Sequence, residues 1–137
     1  MQRLVRETGW VRMVAVGDPP YRYRVTFLCK GLERDGVTGA VRVRQQHVAD
    51  LYLTADYPRV TPQVVWRTPI FHPNFRFRDG RGEVCVAGWE PAQTLAAFVI
   101  RLGRMVQYQH YETRYPLDWE AARWAQEHER QLPVDRK

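Results

Sequence analysis

The first half of the chain alternates apolar and polar side chains in short segments that are separated by turn residues. Within residues 21–30 the apolar positions are Tyr23, Val25, Phe27 and Cys29, with polar residues between them. A period of two predicts a strand with one buried face. The preceding Gly17-Asp18-Pro19-Pro20 predicts a turn, because two prolines bar a helix.

Further strands are predicted on both sides of this segment. Residues 1–12 are compatible with a short helix or with a lead-in to a strand at Val11–Val16. After a hairpin turn at Glu33–Gly36, strands are expected at about Gly39–Arg44, with Val41 and Val43 inward, at about Val48–Leu53 and at Val64–Trp66. Four successive strands with short turns predict an antiparallel meander.

Residues 67–93 and the segments after them differ from this pattern. Three prolines and three glycines predict that 67–93 is irregular, and its many aromatic residues favour an ordered, functional loop. Thr94 is a candidate N-cap for a helix to about Tyr108, and Asp118 for a helix from Trp119 to about Arg130. The fold class is therefore α+β, with helices packed on a four-stranded antiparallel meander in one domain over residues 1–137, core about 21–130.

Composition narrows the classes of function. The 137 residues contain no apolar run of the ~18 residues that a membrane span needs, and the first residues lack a signal peptide, which predicts a soluble, cytoplasmic protein. Two cysteines exclude a disulfide scaffold, and no cysteine–histidine spacing fits zinc, so neither metal nor cofactor is expected. The 19 arginines behind the net charge of +6 are scattered along the chain, which disfavours a nucleic-acid partner.

The residues that could carry chemistry lie in the irregular segment. Cys85 follows Gly82-Glu83-Val84 in a predicted loop, and it is either a reachable nucleophile or a small buried hydrophobic residue. No His/Asp relay stands beside it, so a protease-type thiolate is not indicated. Cys29 continues the inward face of a strand and is predicted to be core.

The tripeptide His72-Pro73-Asn74 is the second candidate. The Asn74 amide could donate to a developing oxyanion or could lock a turn. His72 could act as a general base, although beside proline a turn-stabilising hydrogen bond is the favoured interpretation. From the residues alone, the segment predicts a thiol on a structured loop with a polar tripeptide nearby and names no reaction.

Five short motifs occur in order between residues 21 and 128. They are Tyr57-Pro58 with Pro62 and Val64, then His72-Pro73-Asn74, Gly82 with Cys85-Val86, Trp89 with Pro91 and Thr94-Leu95, and Pro116-Leu117 with Glu120-Ala121-Ala122. Their order and spacing resemble the ubiquitin-conjugating enzyme family.

The resemblance implies that Cys85 accepts a ubiquitin-like protein from an activating enzyme as a thioester and passes it to an amine of a protein acceptor, usually a lysine. It assigns Asn74 to the oxyanion or to holding the loop, His72 and Pro73 to loop architecture, and Trp89 to a supporting position. The alternative is a non-catalytic relative that only binds ubiquitin-like proteins, but such variants typically lack the cysteine.

The chain departs from the family pattern at four places. The eleven positions from Asn74 to Cys85 are more than usual, and the four from Cys85 to Trp89 are fewer. Tyr115 occupies the position of the family's acidic residue near the attacking lysine, with Asp118 and Glu112 as nearby substitutes. The N-terminal helix that commonly docks the activating enzyme is expected to be short or absent.

These departures resemble the divergent bacterial conjugating enzymes of antiphage defence operons. The composition, with 19 arginines and only two lysines, fits a GC-rich genome. It also suits an enzyme that directs an electrophile at lysine amines and carries few of its own.

Overall fold

The chain forms eight β-strands that are followed by two α-helices, in a computed structural model that describes residues 9–17, 22–86 and 89–134. The strands are β1 (Val11–Val16), β2 (Arg22–Phe27), β3 (Gly31–Arg34), β4 (Val41–Arg44), β5 (His47–Tyr52), β6 (Gln63–Trp66), β7 (Phe75–Arg78) and β8 (Arg81–Val84). The helices are α1 (Leu95–Val106) and α2 (Trp119–Glu127), followed by a 3₁₀ turn at Glu129–Gln131. The strand predicted at Val11–Val16 is present as β1. Residues 1–8, which were compatible with a short helix or a lead-in to this strand, and residues 18–20 of the predicted turn Gly17–Pro20 lie outside the described ranges.

Six strands make one antiparallel sheet in the order β1-β2-β5-β6-β8-β7. The neighbours β1, β2, β5 and β6 form a four-stranded meander, and β8 and β7 extend it. The α+β class is confirmed. Because Val25 pairs with Met13 and Ala49, the alternating apolar residues of the three strands meet on one buried face.

The hairpin β3–β4 does not belong to this sheet, which corrects the prediction that its second strand continues the meander. The chain leaves the sheet after Phe27, and the Phe71 N–H donates to Leu32 O at 2.7 Å, which directs β3 toward the helical end of the molecule. Val41 is half-buried, but Val43 is 49% exposed, so the prediction that Val43 points inward was wrong.

Residues 75–84 were predicted to be irregular, but they form a β-hairpin. Phe75 and Phe77 alternate with arginines on β7, and β8 returns after a two-residue Asp79-Gly80 turn with φ values of 55° and 81°. Two successive positive φ angles are typical of the type I′ hairpin turn that Asp-Gly favours. The added length between Asn74 and Cys85 is therefore a β-hairpin.

Helix α1 packs on the inner face of the sheet, and α2 covers a smaller cluster. Phe98, Leu102 and Val106 of α1 are buried in the main core with Phe27 and Trp66. The second cluster lies under α2 and contains Leu32, Phe71, Tyr108, Ala121 and Ala125.

Both predicted caps are present. Thr94 Oγ1 accepts from Ala97 N at 3.0 Å, and Asp118 Oδ1 accepts from Ala121 N at 3.0 Å. The helices end slightly earlier than predicted, at Val106 and Glu127. None of the described helices is long and apolar enough to cross a membrane.

The close contact between α1 and Trp10 generates a prediction about stability. A Cβ atom added at Gly103 would lie 2.4 Å from the Trp10 ring. Gly103→Ala should therefore lower the free energy of unfolding by about 1–2 kcal/mol, since overpacking exceeds the ~1 kcal/mol gain in helix propensity. Urea denaturation measures the change. Gly36→Ala is the matched control, because a Cβ there meets nothing within 4 Å; equal effects at both positions would refute the steric explanation.

Candidate active site

Cys85 lies directly after β8 with its side chain exposed. Its N–H donates to Asn74 O at 2.9 Å, so the backbone of the thiol is fixed to the tripeptide that precedes the hairpin. The sulfur borders an open cavity of about 560 Å³. The cavity is lined mainly by apolar side chains, among them Pro62, Val64, Val65, Val84, Val86 and Phe98. Cys29, by contrast, is buried in the core as predicted.

His72 is fully buried and hydrogen-bonded at both ring nitrogens. Nε2 lies 2.7 Å from Met105 O, and the Asn74 N–H donates to Nδ1 at 3.0 Å. The ring is therefore the neutral tautomer that carries its proton on Nε2 and donates it to the Met105 carbonyl. Burial lowers the pKa of His72 to about 3. This geometry fits a structural role, because a general base needs access to the proton that it removes.

The Asn74 side chain forms a reciprocal pair with the backbone of Glu112. Asn74 Nδ2 donates to Glu112 O at 2.9 Å, and Glu112 N donates to Asn74 Oδ1 at 2.8 Å. Asn74 is only 5% exposed. Its amide thus connects the loop that holds Cys85 to the segment between α1 and α2.

Two further contacts join the same segments. Pro73 O accepts from Leu117 N at 2.8 Å and from Asp118 N at 3.2 Å. From the hairpin, the Arg76 guanidinium donates to Leu117 O at 3.0 Å. The tripeptide, β7 and the start of α2 therefore form one hydrogen-bonded unit around the Cys85 loop.

The acidic candidates have specific positions. One oxygen of Asp118 caps α2, and the side chain borders a groove of about 370 Å³ beside Arg76 and Phe77 of the hairpin. Glu112 uses Oε1 to accept from Arg114 N at 2.6 Å. Tyr115 is 78% exposed, with the Arg114 guanidinium 5.8 Å from its ring centre.

Trp89 holds the other side of the Cys85 loop. Its Nε1 donates to Pro58 O at 2.9 Å, and its ring packs against Tyr57 and Phe98 at centroid separations of 6.0 and 5.4 Å. The segment that contains Tyr57-Pro58 therefore contacts the residues after Cys85. Residues 87 and 88 lie outside the described ranges.

Sequence reasoning missed two elements of this arrangement. The backbone of Glu112 is the partner of Asn74, and nothing in the residue type signals a main-chain role. Tyr108 also positions the tripeptide, because its OH donates to Phe71 O at 2.7 Å and its ring lies 4.5 Å from that of His72. The β7–β8 hairpin was also missed, although the dipeptide Asp79-Gly80 is typical of a two-residue hairpin turn.

The comparisons agree with this geometry. The family model described as ubiquitin-conjugating enzyme matches residues 37–133, which include Cys85, His72-Pro73-Asn74 and both helices. The chain therefore belongs to the ubiquitin-conjugating enzyme family.

Individual proteins of known name share limited sequence identity with this chain. The chain is 30% identical over 82 residues to ubiquitin-conjugating enzyme E2 16 of Schizosaccharomyces pombe, a match that covers 57% of this chain and 49% of that protein. It thus spans about half the length of this curated relative. The E2 domain of a Toxoplasma gondii ubiquitin-conjugating enzyme shares the fold, with a TM-score of 0.62, 22% identity, and coverage of 96% of this chain and 90% of that one.

Buried neutral histidines predict how stability depends on pH. Burial lowers the pKa of His47 to about 4, as it lowers that of His72 to about 3. Between those values and ~6.5, the unfolded chain binds protons that the folded chain does not. The free energy of unfolding should therefore be highest above about pH 6.5 and fall toward pH 4, by up to about 1.4 kcal/mol per pH unit for each histidine.

Denaturation at a series of pH values measures this slope. His47→Gln should flatten the slope between pH 6 and pH 4.5 at some cost in stability, whereas His110→Gln, at an exposed position, should leave it unchanged. A pH-independent wild type over this range would contradict neutral burial.

Proposed function

We propose that Cys85 carries a ubiquitin-like protein as a thioester and transfers it to an acceptor amine, which we take to be a lysine. The observation that supports this most directly is the exposed thiol, which is hydrogen-bonded through its backbone to His72-Pro73-Asn74 in a member of this family. Exposure matters because the thiol must reach both the thioester of an activating enzyme and an incoming amine.

The proposed reaction has two exchanges. The Cys85 thiolate attacks the thioester carbonyl on the activating enzyme, whose own cysteine thiolate leaves. A neutral amine then attacks the new thioester, the Cys85 thiolate leaves, and the nitrogen loses a proton to form the amide. The thioester is already activated, so positioning is the main requirement.

The supporting roles follow from the contacts. Both polar atoms of the Asn74 side chain are paired with Glu112, which supports loop-holding over direct contact with the oxyanion. His72 and Pro73 hold the tripeptide against α1 and the start of α2. Trp89 anchors the loop from the other side. Asp118 is the candidate for assisting deprotonation of the amine, with Tyr115 beside the approach.

The partners in this proposal are a ubiquitin-like protein, an activating enzyme and a protein acceptor, in the cytoplasm. We further propose a bacterial conjugation system in antiviral defence, on the basis of the arginine-rich composition and the departures from the family pattern. The non-catalytic alternative is less favoured. A relative that only binds a ubiquitin-like protein has no need for an exposed cysteine whose backbone is hydrogen-bonded to His72-Pro73-Asn74.

Thioester formation is testable with purified components. With an activating enzyme, its ubiquitin-like protein and ATP, the wild type should form an adduct that reductant cleaves. Cys85→Ser should form an oxyester that survives reductant, and Cys85→Ala should form none. Cys29→Ala is the matched control and should keep the adduct. An adduct that persists in Cys85→Ala but is lost in Cys29→Ala would falsify the assignment.

Amine transfer separates the supporting roles. The preformed thioester is mixed with free lysine, and its discharge is followed on non-reducing gels. Asn74→Ala should slow discharge about tenfold or more, because the loop loses both bonds to Glu112. Asp118→Asn keeps a side-chain cap for α2 but removes the acid, so slower discharge with unchanged thermal stability would support an acid role. Normal discharge in both variants would refute both assignments.

A further inference from the structure

Seven of the 19 arginines that are scattered along the chain lie on one surface of the folded protein. The inner face of the six-stranded sheet is the core, so residues of opposite orientation form its outer face. Cross-strand partners such as Val14, Arg24 and Asp50 lie side by side there. The described residues of this outer face include seven arginines, namely Arg12, Arg22, Arg24, Arg67, Arg76, Arg78 and Arg81.

Among the described residues, two carboxylates lie on the face itself, and Asp118 and Glu120 border the groove beside Arg76 and Arg78 at its edge. Asp50 lies between Arg24 and Arg67 and accepts from them at 2.9 and 2.8 Å. Burial acts to raise its pKa, but the two arginines outweigh that effect and hold the pKa below its usual range. Glu83 faces Arg76 at 3.6 Å. Seven guanidinium groups and two carboxylates leave the face with a net charge of +5.

Four of these arginines have no carboxylate partner among the described residues. They are Arg12, Arg22, Arg78 and Arg81, and each is exposed. Arg78 and Arg81 are cross-strand partners at the end of the hairpin, where like charges repel unless an anion lies between them. With Arg76 they line a hollow of about 250 Å³, which Glu83 and Val65 also border. A phosphate group in this hollow would meet three guanidinium groups and one carboxylate.

The character of the face distinguishes between kinds of partner. Protein interfaces have cores that are depleted in charge and contain apolar or aromatic anchors. Here the middle of the sheet holds the Arg24–Asp50–Arg67 cluster. The aliphatic residues of the face are Val14, exposed on the edge strand, and the half-buried Val16, Val48 and Val65. The Tyr52 ring lies beneath the Arg22 guanidinium at 5.9 Å, which leaves it poorly placed for stacking on bases. A charged centre that is flanked by valines and has no large exposed aromatic anchor suits a polyanion whose phosphates are contacted independently of sequence.

We propose that the outer face of the six-stranded sheet binds the phosphate backbone of nucleic acid without reading its sequence. Because the arginines are scattered in sequence, a nucleic-acid partner was disfavoured. That reasoning does not hold in the folded protein, because the sheet places seven of these arginines on one face. Six strands at a spacing of about 4.8 Å give a face about 24 Å wide, comparable to the width of a duplex. The proposal does not depend on thioester chemistry, because binding of nucleic acid to this face involves no reaction at Cys85.

The test is fluorescence anisotropy with a mixed-sequence 15-base-pair DNA duplex and a 15-nucleotide single-stranded RNA at several salt concentrations. Wild type and Cys85→Ala should bind alike, with affinity that falls steeply with salt. The variant Arg12→Gln, Arg22→Gln, Arg78→Gln, Arg81→Gln should lose at least about tenfold in affinity. Its salt slope should fall by about three to four, since each lost phosphate contact contributes about 0.9 for a duplex.

Two controls make the result specific. Arg59→Gln, Arg104→Gln, Arg123→Gln, Arg130→Gln removes the same charge from exposed positions elsewhere and should change affinity less than about threefold. The variant Arg12→Lys, Arg22→Lys, Arg78→Lys, Arg81→Lys keeps the charge and should keep the salt slope.

The proposal is overturned if wild type does not bind at low salt, if the control set loses as much affinity as the test set, or if the lysine variant behaves like the glutamine variant. Equal affinity for polyglutamate of matched charge would instead identify an acidic protein as the partner of this face.

Discussion

The reciprocal hydrogen bonds between the Asn74 amide and the Glu112 backbone join two segments that the sheet alone would leave separate. One segment follows β6 and leads into the β7–β8 hairpin, and the other connects α1 to α2. A side-chain amide presents a donor and an acceptor side by side, so it can pair with a peptide group as a neighbouring strand would. The carbonyl of the same residue accepts from Cys85 N. Asn74 therefore transmits the position of the helical segment to the thiol, and the bonds of Pro73 to Leu117 and Asp118 add to the same connection.

The hydrogen bonds of the His72-Pro73-Asn74 tripeptide require His72 to be neutral. A protonated ring would place a donor at Nδ1 opposite the Asn74 N–H and would put an unpaired charge among Phe75 and Tyr108, whose rings lie 4.9 and 4.5 Å from it. Burial excludes that state near neutral pH, so the tripeptide keeps one hydrogen-bonding pattern there. In the proposed transfer, the proton that the nitrogen loses must therefore pass to a group that solvent and substrate can reach. The segment between α1 and α2 offers Asp118 and Glu112. One carboxylate oxygen of each already accepts a hydrogen bond from a nearby backbone N–H.

Periodicity predicted the α+β class, most strand positions, both helix caps and the core role of Cys29, because these features depend on local pattern. The separation of β3–β4 from the sheet could not be predicted in this way, since a hydrogen bond between Leu32 and Phe71 has no signature in spacing. The hairpin at 75–84 was missed for another reason: glycine and proline counts outweighed the alternation around Asp79-Gly80. The motifs are the basis for proposing Cys85 and Asn74 as site residues, but only the folded structure identifies the main chain of Glu112 as the partner of Asn74.

The two faces of the sheet follow opposite chemical rules, and the alternation that defines one face also defines the other. Each strand that sends phenylalanine, valine or tryptophan into the core must send the intervening residues outward. In β2 and β7 those residues are mostly arginine. Single arginines that are scattered in sequence thus come to lie on one face of the sheet, because pairing brings alternate residues of neighbouring strands together. A basic surface on a β-sheet therefore need not appear as a run of charged residues in the sequence. It appears when every second residue of one strand is compared with its partners on the neighbouring strands.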